Sequence, residues 1–596
     1  LEVAVRALQQ HEMDTALVTA IDLQGDPRSQ DNLLRPQGQP RPFDPASSGS
    51  ATGEGAVALV LKRLDDCRAE DKIYAIIRGY GTATGGSPEE PTPSPEAQGL
   101  AVFRAHQEAG SHPSQVTYVE ASGSGVPAED EQELAVLQAW YGPGDRPCAL
   151  GSLTSHSGLT GACSGLLSVA KVAAALATRR LPPLPDFEKP LADLSQGRLH
   201  IPVRASAWLR DRSQGPRQAA VHCLSTEGNA VHLVLEEGPQ RQRLWLRQPQ
   251  GGLFGVFPGL SEFVEASHES LHETARRWAQ KHPGQKPRAY LVAEDRTQLQ
   301  QSLRHLEALL QGPGQGQGGL YLSRSPLRQT GKVAFVYPGS GNHYAGMGRE
   351  LALLHPEVVD RLDAESEHLR SYMAAQWTVP YRQDWPNDWA DQSARDIAAD
   401  LHRSIFGQVM FGLLASDIVQ KYGLKPEAAI GYSLGESAAL MSLRAWPGRE
   451  EIHDRMQASD LFRQQLGGPC LAARRFWKVP EGEPFEWRVA VLTRPAAEVR
   501  ERLQGKLELL IVNTDKECVV GGDAPDLARL INQLDCQAFY LEAVPTVHSQ
   551  AVKEVEQAYF DLHHVKVTPP PGVTYYSAYR AAPYQMNSEN SARSIV

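Results

Sequence analysis

The chain has 596 residues, and 59 lysine and arginine residues against 70 aspartate and glutamate residues give a formal net charge of −11. At about 150 residues per domain this length predicts several structural units, and the acidic balance argues against a nucleic-acid-binding protein. The seven cysteines are too few and too scattered for a disulfide framework, and no Cys-x-x-Cys pair indicates a zinc or redox site.

No segment has the pattern of a membrane anchor or a signal peptide. The longest apolar stretch, around Gly165–Ala177, contains Lys171 and is shorter than the about 20 apolar residues that span a bilayer. We therefore expect no membrane span and a cytoplasmic location. The chain begins at Leu1, without an initiator methionine and inside an amphipathic helical pattern, which we interpret as a cut within a longer polypeptide.

Residues 1–237 alternate short β-rich runs with helical patterns, which predicts an α/β layered domain. The predicted helices are Gln132–Trp140 and Gly165–Ala177, and the proline-rich segment Ser87–Pro95 is predicted to be a loop. The predicted strands are Ala16–Ile21, Ala56–Leu61, Tyr74–Tyr80, Val116–Glu120, Ala219–Leu224 and Val231–Leu235.

Residues 238–330 form a weaker α/β pattern, which we interpret as a linker subdomain. A polar helix is predicted over His268–Lys281, a strand over Ala289–Val292 and a second helix over Thr297–Leu310. The Gly/Gln tract Gly312–Gly319 that follows is typical of a flexible linker. We place a domain boundary after this tract.

Residues 331–596 begin with a predicted strand, Val333–Tyr337, and a glycine-rich turn, Pro338–Gly348. A second strand, Ala428–Ile430, leads through Gly431–Glu436 into an apolar helix, Ser437–Leu443. Between residues 488 and 541 the pattern reads strand, helix, strand, strand, helix, strand, which is the order of a ferredoxin-like unit. We expect this unit to be an insertion, at about 462–543.

A serine in this last region has the sequence context of a nucleophile. Gly431-x-Ser433-x-Gly435 fits a nucleophile elbow, in which a tight strand-to-helix turn exposes the serine hydroxyl. The serine needs a base, because a hydroxyl is a poor nucleophile at its free pKa. Of the nineteen histidines, the candidate is His548, just beyond the last strand of the predicted insertion.

Four motifs in this region resemble malonyl/acyl-CoA:acyl-carrier-protein transacylases. Phe335–Gly348 resembles the family's opening F-P-G-Q-G segment, Gly431–Glu436 its G-H-S-L-G-E motif, and Thr546–Ser549 its catalytic-histidine motif. Asn513 falls where the family has a pocket asparagine. The resemblance implies an α/β-hydrolase-like acyltransferase domain over 331–596 with the ferredoxin-like insertion.

The resemblance also implies ping-pong acyl transfer. His548 would take the proton of Ser433, Ser433 would attack an acyl-CoA thioester, and the backbone N–H groups of Leu434 and Ser340 would bind the oxyanion. The acyl group would then pass to the phosphopantetheine thiol of an acyl carrier protein, and no tightly bound cofactor is expected. For carrier docking we name the basic segment Arg474–Lys478.

Two departures from the family pattern concern the acyl group. Tyr432 stands where the family has histidine, and by straight counting the arginine that pairs with a malonyl carboxylate falls near Ala458–Ser459. Arg455 is the nearest arginine and would need a small shift in register. Its absence from the pocket would favour a monocarboxylic acyl chain or raise hydrolysis.

Residues 1–237 resemble the second half of a ketosynthase of thiolase-like fold. The resemblance is carried by Phe43-Asp44, by the Glu120–Gly125 stretch, by the Gly151–Leu159 stretch and by Val231–Glu236. A working ketosynthase has E-A-H-G-T-G-T at the second stretch and G-S-x-K-x-N-x-G-H at the third.

The residues of the condensing chemistry are replaced at these positions. Ser122 and Leu159 stand in place of the two histidines and Thr154 in place of the lysine, and neither serine nor leucine supplies an imidazole donor. His156 is the alternative imidazole, at the position where the family has asparagine. The pattern resembles a chain-length factor, an inactive partner that pairs with a live ketosynthase domain as a heterodimer.

A chain-length factor followed by an acyltransferase resembles polyunsaturated fatty acid synthases and iterative type I polyketide synthases. Two other functions stay open from the residues alone. The same Ser433–His548 pair would make an editing thioesterase if water attacked the acyl-serine, and a non-catalytic scaffold would result if both parts were degenerate.

Overall fold

The computed structural model describes most of the chain, in segments. These are residues 1–23, 38–86, 92–194, 197–225, 227–239, 251–285, 287, 289–311, 319–322, 331–342, 344, 346–373, 395, 400–541 and 544–596. Of the sequence predictions, the loop at 87–91, the linker at 312–318, and His343 and Ala345 of the glycine-rich turn lie outside these residues. The chain divides into two units: residues Leu1–Gln242 with Val333–Val596, and residues Arg243–Lys332.

The first 237 residues form an α/β layered structure around a six-stranded mixed sheet. Spatially the sheet runs β3-β10-β9-β4-β5-β7, while β1 pairs antiparallel with β2 and β6 with β8. The strands are β1 (Thr15–Asp22), β2 (Gly55–Lys62), β3 (Ala75–Thr84), β4 (Val116–Ala121), β5 (Cys148–Ser152), β6 (Arg180–Leu181), β7 (Leu199–His200), β8 (Ser206–Ala207), β9 (Gln218–Leu224) and β10 (Asn229–Glu237). The helices are α1 (Glu2–Gln9), α2 (Pro95–Ala109), α3 (Pro127–Tyr141), α4 (Thr154–Ser157) and α5 (Ser164–Thr178).

Successive residues of the central strand β4 face two different cores. Val119 packs in a cluster with residues of α2 and α3, whereas its neighbour Tyr118 packs in a second cluster with Val172 and Leu176 of α5. This alternation follows from the two-residue period of a strand. The sheet is therefore covered by helices on both faces, which explains why β4 is apolar along its length. Helix α2 was not predicted, and Pro95 of the predicted loop is its first residue.

The unit Arg243–Lys332 is a three-stranded antiparallel sheet with three helices. Strand β12 (Ala289–Ala293) lies between β11 (Gly252–Gly255) and β13 (Leu320–Leu322). The helices are α6 (Leu260–Glu265), α7 (Leu271–Lys281) and α8 (Arg296–Gln311). The central strand and the two longer helices agree with the sequence prediction, whereas the short outer strands were not predicted.

Residues 333–596 contain two sheets. In the first, β14 (Ala334–Tyr337), β15 (Ala428–Gly431) and β20 (Thr574–Ser577) are parallel, and β21 (Ala582–Pro583) is antiparallel to β20. The second is antiparallel, in the order β17-β18-β16-β19, with strands β16 (Trp487–Leu492), β17 (Leu507–Thr514), β18 (Glu517–Asp523) and β19 (Ala538–Leu541).

Helices surround the first sheet and cover one face of the second. Helix α17 buries Leu527, Leu530 and Leu534 in the core of the second sheet, at the i, i+3, i+7 spacing of one helix face. The helices are α9 (Arg349–Leu354), α10 (Pro356–Glu365), α11 (Leu369–Tyr372), α12 (Leu401–Lys421), α13 (Gly435–Ser442), α14 (Arg449–Ala458), α15 (Leu471–Phe476), α16 (Ala496–Arg502), α17 (Ala524–Leu534), α18 (Glu556–His563) and α19 (Ser588–Ile595).

A cluster of charged side chains joins the first 237 residues to residues 333–596. Arg210 lies 2.5 Å from Glu237 and 3.2 Å from Asp363 of α10, and Arg217 lies 2.8 Å from Glu237. The side chains of Arg217, Glu237 and Asp363 are 2%, 6% and 5% exposed. Buried charges are stable only when paired, so this cluster fixes the two parts against each other within one unit.

Candidate functional site: a serine on a strained turn

The turn between β15 and α13 holds Ser433 in a strained backbone conformation. Ser433 has φ of 55°, in the left-handed region that non-glycine residues rarely adopt. The flanking glycines are required by space: a Cβ on Gly431 would lie 2.0 Å from the backbone N of Glu436, and one on Gly435 would lie 2.2 Å from the carbonyl oxygen of Tyr337. The turn is therefore tight enough to present the serine at the carboxyl end of the sheet.

An imidazole lies directly against this serine. The Oγ of Ser433 and the Nε2 of His548 are 2.7 Å apart. His548 ends a short 3-10 helix, Thr546–His548, which is fixed because Thr546 donates from its backbone N (2.8 Å) and its Oγ1 (3.1 Å) to the carbonyl oxygen of Leu466. Burial lowers the pKa of His548 below its ordinary value, so the ring is neutral at pH 7 and Nε2 can accept the serine proton.

The two predicted oxyanion donors lie at the same cavity as Ser433. Leu434 is the N-cap residue of α13, where backbone N–H groups have no partner within the helix, and Ser340 also lines the cavity. The loop before Ser340 is held by Gln408, whose Nε2 donates to the carbonyl oxygens of Pro338 and Gly339. This arrangement brings the loop after β14 beside the elbow.

Tyr432 and Asn513 form a hydrogen-bonded pair across the two sheets. The hydroxyl of Tyr432 donates to Oδ1 of Asn513 at 2.9 Å, and Nδ2 of Asn513 donates to Glu517 at 2.8 Å. Tyr432 lines the cavity, whereas Asn513 contacts it through the tyrosine. The side chain that replaces the family's histidine thus joins the elbow to strand β17.

Arg455, expected in the substrate pocket, faces elsewhere. Its Nη1 donates to the carbonyl oxygens of Asp561 and His564 at 2.7 and 3.1 Å, and its Nη2 donates to Glu451 at 2.6 Å. These bonds use the guanidinium to join α14 to the end of α18, and Arg455 is not among the cavity residues. The small shift in register that would place it in the pocket does not occur, because its own helix turns it away.

The cavity at Ser433 has a volume of about 1310 Å³. Glu436, which the sequence analysis did not single out, lines it on the first turn of α13 and accepts a hydrogen bond from the backbone N of Ala578 at 2.8 Å. Burial raises the pKa of Glu436 to about 7. Glu436 therefore ties the turn after β20 to the elbow, a contact that only the folded chain reveals.

The basic segment Arg474–Lys478 is used largely by its own surroundings. Arg474 donates to the carbonyl oxygens of Pro480 and Glu483 at 2.9 and 2.8 Å, and Arg475 lies 3.6 Å from Glu554. Two of the three cations of this segment are thus partly neutralised or committed to backbone groups. Carrier docking at this segment stays a prediction.

In the first part of the chain, the residues at the ketosynthase positions make structural contacts. The Oγ of Ser122 accepts from the backbone N of Leu224 at 2.8 Å, and Thr154 donates from Oγ1 to the carbonyl oxygen of Ser122 at 3.0 Å. Leu159 donates its backbone N–H to the carbonyl oxygen of Ala51 at 2.7 Å. These contacts tie loops together and leave no imidazole at the Ser122 or Leu159 position.

His156 lies near this loop, partly buried, and its Nδ1 is 3.1 Å from the hydroxyl of Ser155. Burial lowers its pKa. A buried ion pair that the sequence analysis did not predict lies in the same region, with Lys171 of α5 at 2.8 Å from Glu120 at the end of β4. Because Glu120 is fully buried, Lys171 is needed to hold its charge.

Neither clustered metal ligands nor an exposed apolar span is found in the described part of the chain. Those residues contain no group of three or more His, Cys, Asp and Glu side chains that could hold a metal ion. One helical segment, Gly161–Thr178, is long and apolar enough to cross a membrane by length and composition. In the structure Val169, Val172 and Leu176 of this segment pack in the core against the six-stranded sheet.

Family models match the beginning of the chain. Residues 1–67 match the model described as beta-ketoacyl synthase, N-terminal domain, and residues 74–188 match the model of its C-terminal domain. The first part of the chain is therefore of ketosynthase type, with the thiolase-like fold of these domains. The sequence analysis described this part as the second half of a ketosynthase, whereas the models assign its first 67 residues to the N-terminal domain.

Polyketide synthases are similar to a larger share of the chain. Phthioceranic/hydroxyphthioceranic acid synthase of Mycobacterium bovis is 31% identical over 502 residues, 79% of this chain and 22% of the relative. A mycocerosic acid synthase-like polyketide synthase of Mycolicibacterium smegmatis is 27% identical over 624 residues, 97% of this chain and 27% of the relative. The chain thus spans less than a third of the curated relatives it matches.

Solved ketosynthases also show similarity. The ketosynthase from module 6 of the bacillaene synthase of Bacillus subtilis is 25% identical, with a TM-score of 0.37 over 65% of this chain and 68% of that chain. An oxazolomycin ketosynthase domain is 22% identical, with a TM-score of 0.38 over 51% of this chain and 58% of that chain.

Proposed function

We propose that residues 331–596 are an acyltransferase domain, with a ferredoxin-like insertion, that moves acyl groups from coenzyme A to an acyl carrier protein. The observation that carries the proposal is the 2.7 Å contact between Ser433 Oγ and His548 Nε2 on a strained strand-to-helix turn. A serine beside a neutral imidazole is the arrangement that activates a hydroxyl for attack on a thioester.

The reaction runs in two halves. In the first, Nε2 of His548 takes the proton of Ser433 as Oγ attacks the thioester carbonyl carbon. The backbone N–H groups of Leu434 and Ser340 stabilise the tetrahedral oxyanion. The C–S bond then breaks, and the imidazolium returns the proton to the leaving thiolate of coenzyme A.

The second half reverses the roles. The phosphopantetheine thiol of the carrier protein gives its proton to His548 and attacks the acyl-serine carbonyl. The C–Oγ bond breaks, and His548 protonates the released Oγ of Ser433. The products are the acyl-carrier thioester and the free enzyme, so each half transfers one acyl group and one proton and needs no metal or redox cofactor.

For the ketosynthase-type part we propose an inactive chain-length factor that pairs with a live ketosynthase domain. What supports this is that Ser122 and Leu159 replace the two histidines and that the Ser122 hydroxyl is engaged by Leu224. Without imidazole donors at these positions, the oxyanion of a condensation has no stabilising group. The similarity to polyketide synthases favours a place in such a synthase or in a polyunsaturated fatty acid synthase.

One experiment tests transfer against hydrolysis. The purified chain is mixed with a radiolabelled acyl-CoA, with and without a holo acyl carrier protein, and the label is followed on protein, carrier and free acid. We expect label on Ser433 and then on the carrier, and none on Ser433→Ala. Turnover to free acid without carrier loading would instead identify a thioesterase, and absence of any adduct would identify a scaffold.

A further inference from the structure

The cavity beside Ser433 is larger than a small acyl unit requires. Its volume of about 1310 Å³ exceeds the range of about 300–1,000 Å³ typical of small-molecule sites. A two- or three-carbon acyl group on Ser433 would fill only a small part of it. The excess volume therefore points to a larger acyl group.

The inner walls of the cavity belong to two hydrophobic core clusters. Phe406 and Met456 come from one cluster, and Met441 and Ile452 come from the other. All four side chains are at most 5% exposed. The cavity thus extends from the nucleophile into the apolar interior, where a hydrocarbon chain gains free energy by leaving water.

The position of Met441 sets a length for this extension. It lies eight residues after Ser433, along helix α13, which corresponds to about 12 Å at 1.5 Å per residue. An extended hydrocarbon chain of about ten carbons spans this distance at slightly less than one 1.5 Å C–C bond per carbon.

The cations near the cavity are placed poorly for a second carboxylate. Arg455 is bound to backbone carbonyls outside it. Arg593 is 2.5 Å from Glu589 and lies over the ring of Phe560. The other cations of the lining, Lys553 and Arg580, are solvent-exposed, so among the described residues the apolar depth holds no free positive charge.

We propose that Ser433 takes apolar monocarboxylic acyl chains of about ten carbons in preference to malonyl or acetyl groups. This inference rests on the proposed acyltransferase function. Each methylene group transferred from water into the cavity favours binding by up to about fourfold. The eight additional carbons of a decanoyl thioester are therefore enough to give a preference well above tenfold, whereas a malonyl carboxylate would lose its hydration without gaining a partner.

The test measures kcat/KM for acylation of Ser433 with malonyl-, acetyl-, octanoyl-, decanoyl- and palmitoyl-CoA, by intact-protein mass spectrometry. We expect decanoyl-CoA to exceed malonyl- and acetyl-CoA by at least tenfold. A preference for malonyl- or acetyl-CoA, with Ser433 labelled, would overturn the chain-length inference and leave the proposed function standing. No label from any thioester would overturn the proposed function itself.

A matched pair of variants tests the wall of the cavity. Met441→Phe places a rigid ring at the far end of the cavity and should lower the decanoyl-to-acetyl ratio of kcat/KM at least tenfold. Met410→Phe makes the same change at a buried methionine that does not line the cavity and should keep the ratio. Should Met441→Phe not fold, Ile452→Phe repeats the test from helix α14. An unchanged ratio in a folded wall variant would contradict the proposal.

Discussion

Replacing His548 with alanine tests whether it is the base for Ser433. The imidazole Nε2 lies 2.7 Å from Oγ, and removal of a positioned general base lowers a rate by about 10²- to 10⁴-fold. This corresponds to about 2.7–5.4 kcal/mol of lost transition-state stabilisation. We expect His548→Ala to slow acyl-serine formation by that factor, measured by mass spectrometry of reactions quenched over time, while Ser433→Ala gives no adduct.

The pH dependence of the wild-type rate gives a second readout of the same residue. The base acts only when it is unprotonated, and burial lowers the pKa of His548 below its ordinary value of 6.5. The rate should therefore be on its plateau at pH 7 and fall only when the pH drops below 6.5. His548→Ala should lose this acidic limb, because the group that titrates is gone.

His156→Ala is the matched control for this prediction. His156 is partly buried and its pKa is also lowered by burial, yet it lies in the ketosynthase-type part of the chain. We expect its replacement to leave acylation of Ser433 within a few-fold of the wild type, since it does not contact the reacting atoms. Loss of acylation in His156→Ala with a normal rate in His548→Ala would refute our assignment of the active part.

Three other changes have defined outcomes. Asp363→Asn leaves buried guanidinium groups short of a counter-charge and should lower the free energy of unfolding, measured in urea, by about 3 kcal/mol; Asp360→Asn, whose pair with Arg179 is partly exposed, should cost at most about 1 kcal/mol, and equal losses would contradict the buried cluster. Arg455→Ala should not alter the ratio of malonyl to acetyl transfer, so a selective loss of malonyl transfer would return this residue to the pocket. Gly431→Ala should lower Tm and abolish acylation because its Cβ has no space, whereas Gly412→Ala, whose Cβ would meet nothing nearer than 3.7 Å, should do neither.

Local sequence patterns predicted many of the secondary-structure elements. The six elements over residues 488–541 are all present, because strands and helices there have clear periods of two and 3.6 residues. Helix α2 was missed, since its alanine-rich and glycine-containing sequence has only a weak apolar face and a proline-rich segment precedes it. Strands β11 and β13 were missed because each has four residues or fewer.

Residue identity by itself determined which side chains could carry chemistry. The glycines around Ser433 predicted a tight turn, and the absence of histidine at residues 122 and 159 removed the imidazole donors of a condensing enzyme. Both conclusions depend on which atoms a side chain has, and this does not change with folding.

Only the tertiary structure decided how distant residues meet. It brings Ser433 and His548, 115 positions apart, within hydrogen-bond distance, and it directs Arg455 away from the cavity although counting along the chain placed it nearby. It also joins the two ends of the chain through the pairing of Arg210 with Asp363. Such contacts depend on helix orientation and on the packing of elements far apart in sequence, which no local pattern encodes.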